Sequence, residues 1–214
     1  MAGGRAVRRS DEEIEEFLRT VAVEGYETDD VIVDQVSRSL LHDHPDQPDL
    51  EGRVAALAPA LFDELQAREA AWPIPTDNDR LDRAFAALDR DGILTRQNWY
   101  GSEGPAAEEM QHEVVAARFE RRIHGFAFFH GGDIRRALAG EGLRVTWGAV
   151  APRTTSNERR ERAAWDVAQE IHRALWAQGL SPEWSRVIGE PITLPFTWRR
   201  RRKRRRLAPR VAGR

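Results

Sequence analysis

Residues 125–140 read GFAFFHGGDIRRALAG. The first five form an uninterrupted apolar run, the mark of a central strand buried on both faces. Residues 133–140 read as a short helix closed by Gly140, with Asp133 as its N-cap and Gly131-Gly132 as the tight turn before it. By the period of two along a strand, His124, Phe126, Phe128 and His130 share one face. His130 therefore stands at the carboxyl end of the strand. In α/β sheets that edge binds ligands, because loops and helix N-termini converge there.

Working outward, the segment ILTRQNW (93–99) is a second strand and PAAEEMQHEVVAARFERR (105–122) a helix between the two. Upstream, Thr76 with Asp79 caps a helix carrying Leu81, Phe85 and Leu88, which stops near Asp91-Gly92. Downstream, Leu143, Val145 and Trp147 alternate with Arg144 and Thr146 in a half-buried strand. Thr155 with Glu158 caps a long helix ending at Gly179, whose core stripe is Ala164, Val167, Ala168, Ile171 and Leu175. EWSRVI (183–188) and ITLPFTW (192–198) read as a closing antiparallel pair, with Pro195 marking an edge strand.

The first third of the chain has a different rhythm. Ser10 with Glu13 forms a capping-box pattern ahead of Ile14, Phe17, Leu18 and Val21. Thr28 opens a second helix with Val31, Val33, Val36, Leu40 and Leu41 as its apolar positions. A third runs from about Leu50 to Ala71, with Pro59 inside it. WPIPTDND (72–79) is a linker. The expected organisation is a disordered basic tail at 1–9, an acidic helical segment at 10–72, an α/β domain at 76–198 and a basic tail at 199–214. The fold class is α+β: the acidic helical segment packed on a mixed α/β sheet domain, with a disordered basic C-terminal tail.

Charge is distributed unevenly behind a net of −2. Residues 10–72 hold 17 acids and 4 arginines, whereas residues 199–214 hold 10 bases and no acid. There is no cysteine, which excludes disulfides, thiolate metal sites and cysteine nucleophiles. No apolar window is long enough to cross a membrane, and the basic N-terminus lacks the apolar core of a secretory signal. The expected location is the cytoplasm.

The order TDNDRLDRAFAALDRDGILTRQNW, then GFAFFHGGD, a Trp-containing strand, AQGLSPEW and FTWRRR resembles an uncharacterised bacterial family, domain of unknown function 6891. The resemblance covers about Thr76 to Arg200. It implies fold and layout but no activity. It also implies a cysteine-rich segment just after RQN, with spacing suited to zinc or thiol chemistry. Here that place reads WYGSEGPAAEEM, and Ser102 and Glu103 cannot replace thiolates.

Three places carry candidate chemistry. At the strand edge, Arg96, Gln97, Asn98, His130, Asp133 and Trp147 form a convergent set if the 93–99 strand is parallel to its neighbour. The competing explanation is a capped helix and a glycine turn. No serine sits in a nucleophile elbow and no glycine-rich phosphate loop is present, so no cofactor is expected. His42, Asp43, His44 and Asp46 lie in a proline-marked loop, where adjacent ligands rarely converge on a metal. Trp165, His172 and Trp176 form a stripe on the long helix that reads as an interface or core edge.

The eight cations Arg199, Arg200, Arg201, Arg202, Lys203, Arg204, Arg205 and Arg206 are expected to stay solvated and to be removable without loss of the fold. Such a run suits nonspecific nucleic acid, an acidic surface, or the chain's own acidic segment. The leading functional expectation is a non-catalytic binding or interaction module with a protein partner. The alternatives are an enzyme using His130 and Asp133, and a polyanion binder using the arginine run.

Overall fold

Ser10 opens the first helix through a local exchange of hydrogen bonds. Its Oγ accepts from the Glu13 N–H at 3.2 Å, and its own N–H donates to Glu13 Oε2 at 2.8 Å. The computed structural model describes residues 8–150 and 156–203. Helices α1 (Asp11–Ala22), α2 (Asp29–Asp43) and α3 (Leu50–Ala70) share one core. Ile14 and Leu18, Ile32 and Leu40, and Val54 and Leu61 meet there with almost no exposure. Of the expected α2 positions Val36 and Leu40 are in the core, and Ile32 completes the stripe at steps of four. Val31 is exposed, and Val33 and Leu41 only flank the core. Pro59 lies inside α3, which runs on to Ala70.

The chain divides into two units. One comprises the residues up to Pro73 together with the segment from Arg199; the other is Ile74–Trp198. The first departs from the expectation of a solvated basic tail. The Arg202 guanidinium is 3% exposed and makes three contacts inside the helical unit. Its Nε donates to Glu69 Oε1 at 2.8 Å, Nη1 to Asp29 Oδ1 at 3.0 Å and Nη2 to the Phe62 carbonyl at 2.9 Å. Arg201 donates to the carbonyls of Trp72 and Pro73 at 3.2 and 3.1 Å. Arg200 lies over the Tyr26 ring at 4.4 Å. Lys203 pairs with Thr28 in a parallel bridge. Gly25, at φ +78°, leaves room for this segment: a Cβ there would stand 2.6 Å from the Arg200 carbonyl oxygen.

Consecutive cations are tolerated here because each addresses a different partner. Within this unit, seventeen acidic residues are balanced by seventeen basic ones once the C-terminal segment is counted. Arg204, Arg205 and Arg206 lie outside the described residues.

The second unit carries a four-stranded mixed sheet in the order β1 (Ile93–Arg96), β2 (Gly125–Phe128), β3 (Leu143–Ala149), β4 (Ile192–Leu194). β1 and β2 are parallel; β3 runs antiparallel to both β2 and β4. Its helices are α4 (Asp77–Asp91), α5 (Glu103–Ala117), α6 (Gly131–Leu138) and α7 (Asn157–Ala177). Together the described residues form an α+β protein of seven helices and four strands.

Phe126 and Phe128 stack on one face of the sheet and pack with Leu94 against Met110 and Val114 of α5. The opposite face meets α4 and α7. Thr95 Oγ1 donates to the Phe85 carbonyl at 3.2 Å, and a Cβ on Gly125 would stand 2.8 Å from Val167. The Thr76–Asp79 capping box and the α7 core stripe are present as their patterns dictate. Ser156 caps α7, and Thr155 lies outside the described residues. The segment 183–188 is not a strand. Only Glu183 pairs, exchanging two backbone hydrogen bonds with Thr193 at 2.7 and 2.9 Å. Arg186, at φ +65°, interrupts the extended run.

Arg202→Ala leaves Glu69 and Asp29 without their cation in a nearly dry site. The expected cost is about 3–5 kcal/mol, as for other broken buried ion pairs. Amide hydrogen exchange in α1–α3 is the measurement, because it reports this unit separately. A chain ending at Trp198 should show the same loss of protection; unchanged protection would show that the arginines are dispensable.

Candidate functional site

Parallel pairing brings the carboxyl ends of β1 and β2 to one edge, as the strand-edge expectation requires. The two loops that leave this edge are then joined by backbone hydrogen bonds. The Trp99 N–H donates to the Phe129 carbonyl at 2.9 Å and the Gly131 N–H to the Tyr100 carbonyl at 2.8 Å. Asn98 and Tyr100 adopt φ of +48° and +62° to make this turn.

His130, not Asp133, is the N-cap of α6. Its Nδ1 accepts the Asp133 N–H at 3.3 Å, and Asp133 Oδ2 accepts the His130 N–H at 3.0 Å. This is a capping box with imidazole in the place of a hydroxyl. The same Nδ1 lies 3.3 Å from Asp133 Oδ2, but one nitrogen cannot accept from the amide and donate to the carboxylate at once. The accepting role completes the cap and places the ring proton on Nε2. Gly131 and Gly132 are accordingly the first residues of the helix rather than a turn before it. Gly132 makes room for the cap. A Cβ there would lie 2.7 Å from His130 Cε1, so only glycine lets the ring fold over the first helical turn.

The pair is closed to solvent, with side-chain exposures of 12% for His130 and 3% for Asp133. Burial raises the Asp133 pKa above the usual carboxylate value; the hydrogen bond from the His130 amide and the positive charge of Arg144 oppose that rise.

The other expected members are held individually. Arg96 pairs with Glu113, donates to the Thr95 carbonyl at 2.8 Å and lies 5.6 Å from the Trp99 ring centre. Gln97 Nε2 donates to Asp82 Oδ1 at 2.9 Å. Asn98 Oδ1 lies beside Gly131, 3.6 Å from where a Cβ there would stand. Trp147 does not belong to this edge. β3 is antiparallel to β2, so Trp147 pairs with Ala127 inside the sheet. Its Nε1 donates to the Glu190 carbonyl at 2.8 Å.

Two clefts of this unit are lined by other residues. One, of about 620 Å³, includes His124 and Glu170, joined at 2.7 Å, with Arg121, Arg122 and Asp166 around them. The second, of about 690 Å³, lies along α7 and is lined by Trp165, His172, Arg173, Pro182, Trp184 and Arg186. Trp184 meets Trp165 edge-on at 4.9 Å and Trp147 at 5.7 Å. Trp165 and His172, read from the sequence as part of an interface or core edge, both line this cleft, and Trp176 is exposed on the same helix; Trp184 and Arg186 carried no sequence signal of their own. Among the described residues no three His, Asp or Glu side chains converge as a metal would require. His44 Nε2 accepts from Arg9 Nε at 3.1 Å.

A family model described as Domain of unknown function (DUF6891) matches residues 8–202, which takes in the helical segment as well as the sheet unit. No curated protein and no solved structure matches.

Removing the cap in His130→Ala should cost about 0.5–2 kcal/mol, read from urea unfolding. Gly132→Ala should destabilise by displacing the ring. In the His130→Ala background the same substitution should instead stabilise by about 0.5–1 kcal/mol, because Ala is the better helix former once the clash is gone. A sign that does not reverse would show that the ring does not occupy this place.

A carboxyl whose folded pKa is raised contributes stability that is present below about pH 4, its unfolded value, and is lost as pH rises through the folded value. Asp133→Asn removes the charge and keeps an acceptor for the His130 N–H. The stability of this variant relative to the parent should therefore increase between about pH 4 and pH 7. A flat difference across that window would contradict the burial of a charged Asp133.

Proposed function

We propose that this chain, which belongs to the family described as domain of unknown function 6891, is a non-catalytic binding module whose sheet unit presents the interaction surface. One observation carries the reading. The acid–base pair at the strand edge is engaged in a helix cap, with His130 Nδ1 and Asp133 Oδ2 each holding a backbone N–H. General acid–base catalysis needs a group within reach of a substrate proton, and a nearly buried cap gives no such access. The engagement of the Arg200, Arg201 and Arg202 side chains within the helical unit speaks against the polyanion-arm alternative at these three positions.

The enzyme alternative is better placed at His124 than at His130. His124 Nε2 and Glu170 Oε2 are 2.7 Å apart on an open cleft, and both side chains are more than a third exposed. A carboxylate-oriented imidazole is a recurrent base arrangement, although no nucleophile or cofactor pattern accompanies it.

The two readings separate in one experiment. The full-length protein is incubated with a mixed metabolite extract, and the extract is profiled by mass spectrometry. The expected result is no metabolite whose consumption depends on the protein. A compound consumed by the parent protein and spared by His124→Ala would establish the enzyme reading at the His124 cleft. One spared by His130→Ala, in a variant that remains folded, would place it at the strand edge.

A further inference from the structure

We propose that the cleft along α7 is a docking groove for an acidic peptide segment carrying an apolar side chain. This deepens the binding-module reading and rests on it.

The floor is apolar and already ordered. Trp165 and Trp184 meet edge-on, and Trp184 is held on its other side by Trp147. Trp184 Nε1 donates to the Val187 carbonyl at 3.3 Å, which folds the following segment back on itself. A floor fixed in this way requires little side-chain ordering on binding. The volume of about 690 Å³ accommodates a bulky side chain with its flanking backbone.

The rim is cationic. His172, Arg173 and Arg186 stand against a single acid, Glu183. Arg173 uses only its Nε, on the Gln169 carbonyl at 3.3 Å. Arg186 takes part in no hydrogen bond or ion pair among the described residues, and it is held at φ +65°, a conformation non-glycine residues rarely adopt. These guanidiniums have the donor geometry for carboxylates.

The surface extends beyond the cleft. Trp176 lies eleven residues after Trp165, on the same face of α7, and is 64% exposed. Val187 and Ile188, which follow Arg186 in the chain, are also exposed. Exposed Trp and Arg at the centre of an apolar patch are the residues that dominate protein interfaces. The strip is longer than a small molecule needs, and two indoles inclined at 64° leave no parallel slot for a nucleobase. Both features favour a peptide.

The test uses the full chain and a fluorescein-labelled short peptide with one central Phe flanked by Asp and Glu, read by anisotropy. Arg173 and Arg186 are exposed, so the double variant R173E/R186E should fold normally; circular dichroism checks this. It should weaken binding at least about tenfold, equivalent to about 1.4 kcal/mol. Trp184→Ala should weaken it further, and added salt should weaken the parent complex. The same peptide with Lys in place of Asp and Glu should not bind. The proposal is overturned by absence of binding, by equal affinity for R173E/R186E, or by equal binding of the Lys peptide. It is also overturned if AMP occupies the groove while the acidic peptide does not. Any of these outcomes leaves the module reading standing, since that reading falls only on protein-dependent metabolite consumption.

Discussion

A single buried guanidinium closes the helical unit. Arg202 sits between Glu69 and Asp29 and donates its remaining edge to the Phe62 carbonyl, so residues from α2, α3 and the C-terminal segment converge on one charge. Desolvating three ionic groups is expensive, and the arrangement holds because the donors find matched acceptors. Its neighbour Arg201 donates to Trp72 and Pro73, the residues at which the chain leaves this unit. The exit and the return of the chain are thus held together. The sheet unit has its own counterpart, for the Thr197 N–H donates to Asp77 Oδ2 at 3.0 Å and joins its two ends. A unit inserted between adjacent chain ends folds around its own core.

The strand edge shows a local requirement met by residues that the sequence also offered as a site. A parallel β1–β2 pair brings Arg96, Asn98 and His130 together, and such edges serve as ligand sites in many sheets. Here α6 starts so close behind β2 that its free N–H groups need a cap at once, and His130 supplies it. Gly132 is the steric condition for that cap, and the backbone bonds from Trp99 and Gly131 close the remaining gap. The cluster that looked most chemical in the sequence thus holds the helix cap of α6.

The α7 face carries the opposite lesson. Its buried stripe, Ala164 to Leu175, is ordinary core. One helical step around, Trp165, His172 and Trp176 line or extend a cleft whose second wall comes from Pro182 and Trp184. The tryptophans are ordered by one another, so the groove exists without a ligand. Among the residues lining it, His172, Arg173 and Arg186 stand with a single acid, Glu183.

What the sequence determined by itself was much of what is settled within about one helical turn, though not the α6 cap, which falls at His130 rather than Asp133. The capping boxes at Ser10–Glu13 and Thr76–Asp79, the stop at Gly92 and the α7 stripe are all formed by neighbours in the chain. The apolar run of β2 likewise identified a central strand. Tertiary structure decided the rest. Ile32 rather than Val31 faces the core because α2 is rotated by its packing against α1 and α3. Trp147 leaves the strand edge because β3 runs antiparallel, a choice of direction that its alternation does not encode. Arg202 finds Glu69 and Asp29 at separations of 133 and 173 residues. A run of like charges looks solvated to any local reading. Only the folded chain brings buried carboxylates to it, because the Coulomb attraction that offsets desolvation exists only once the partners are within contact distance.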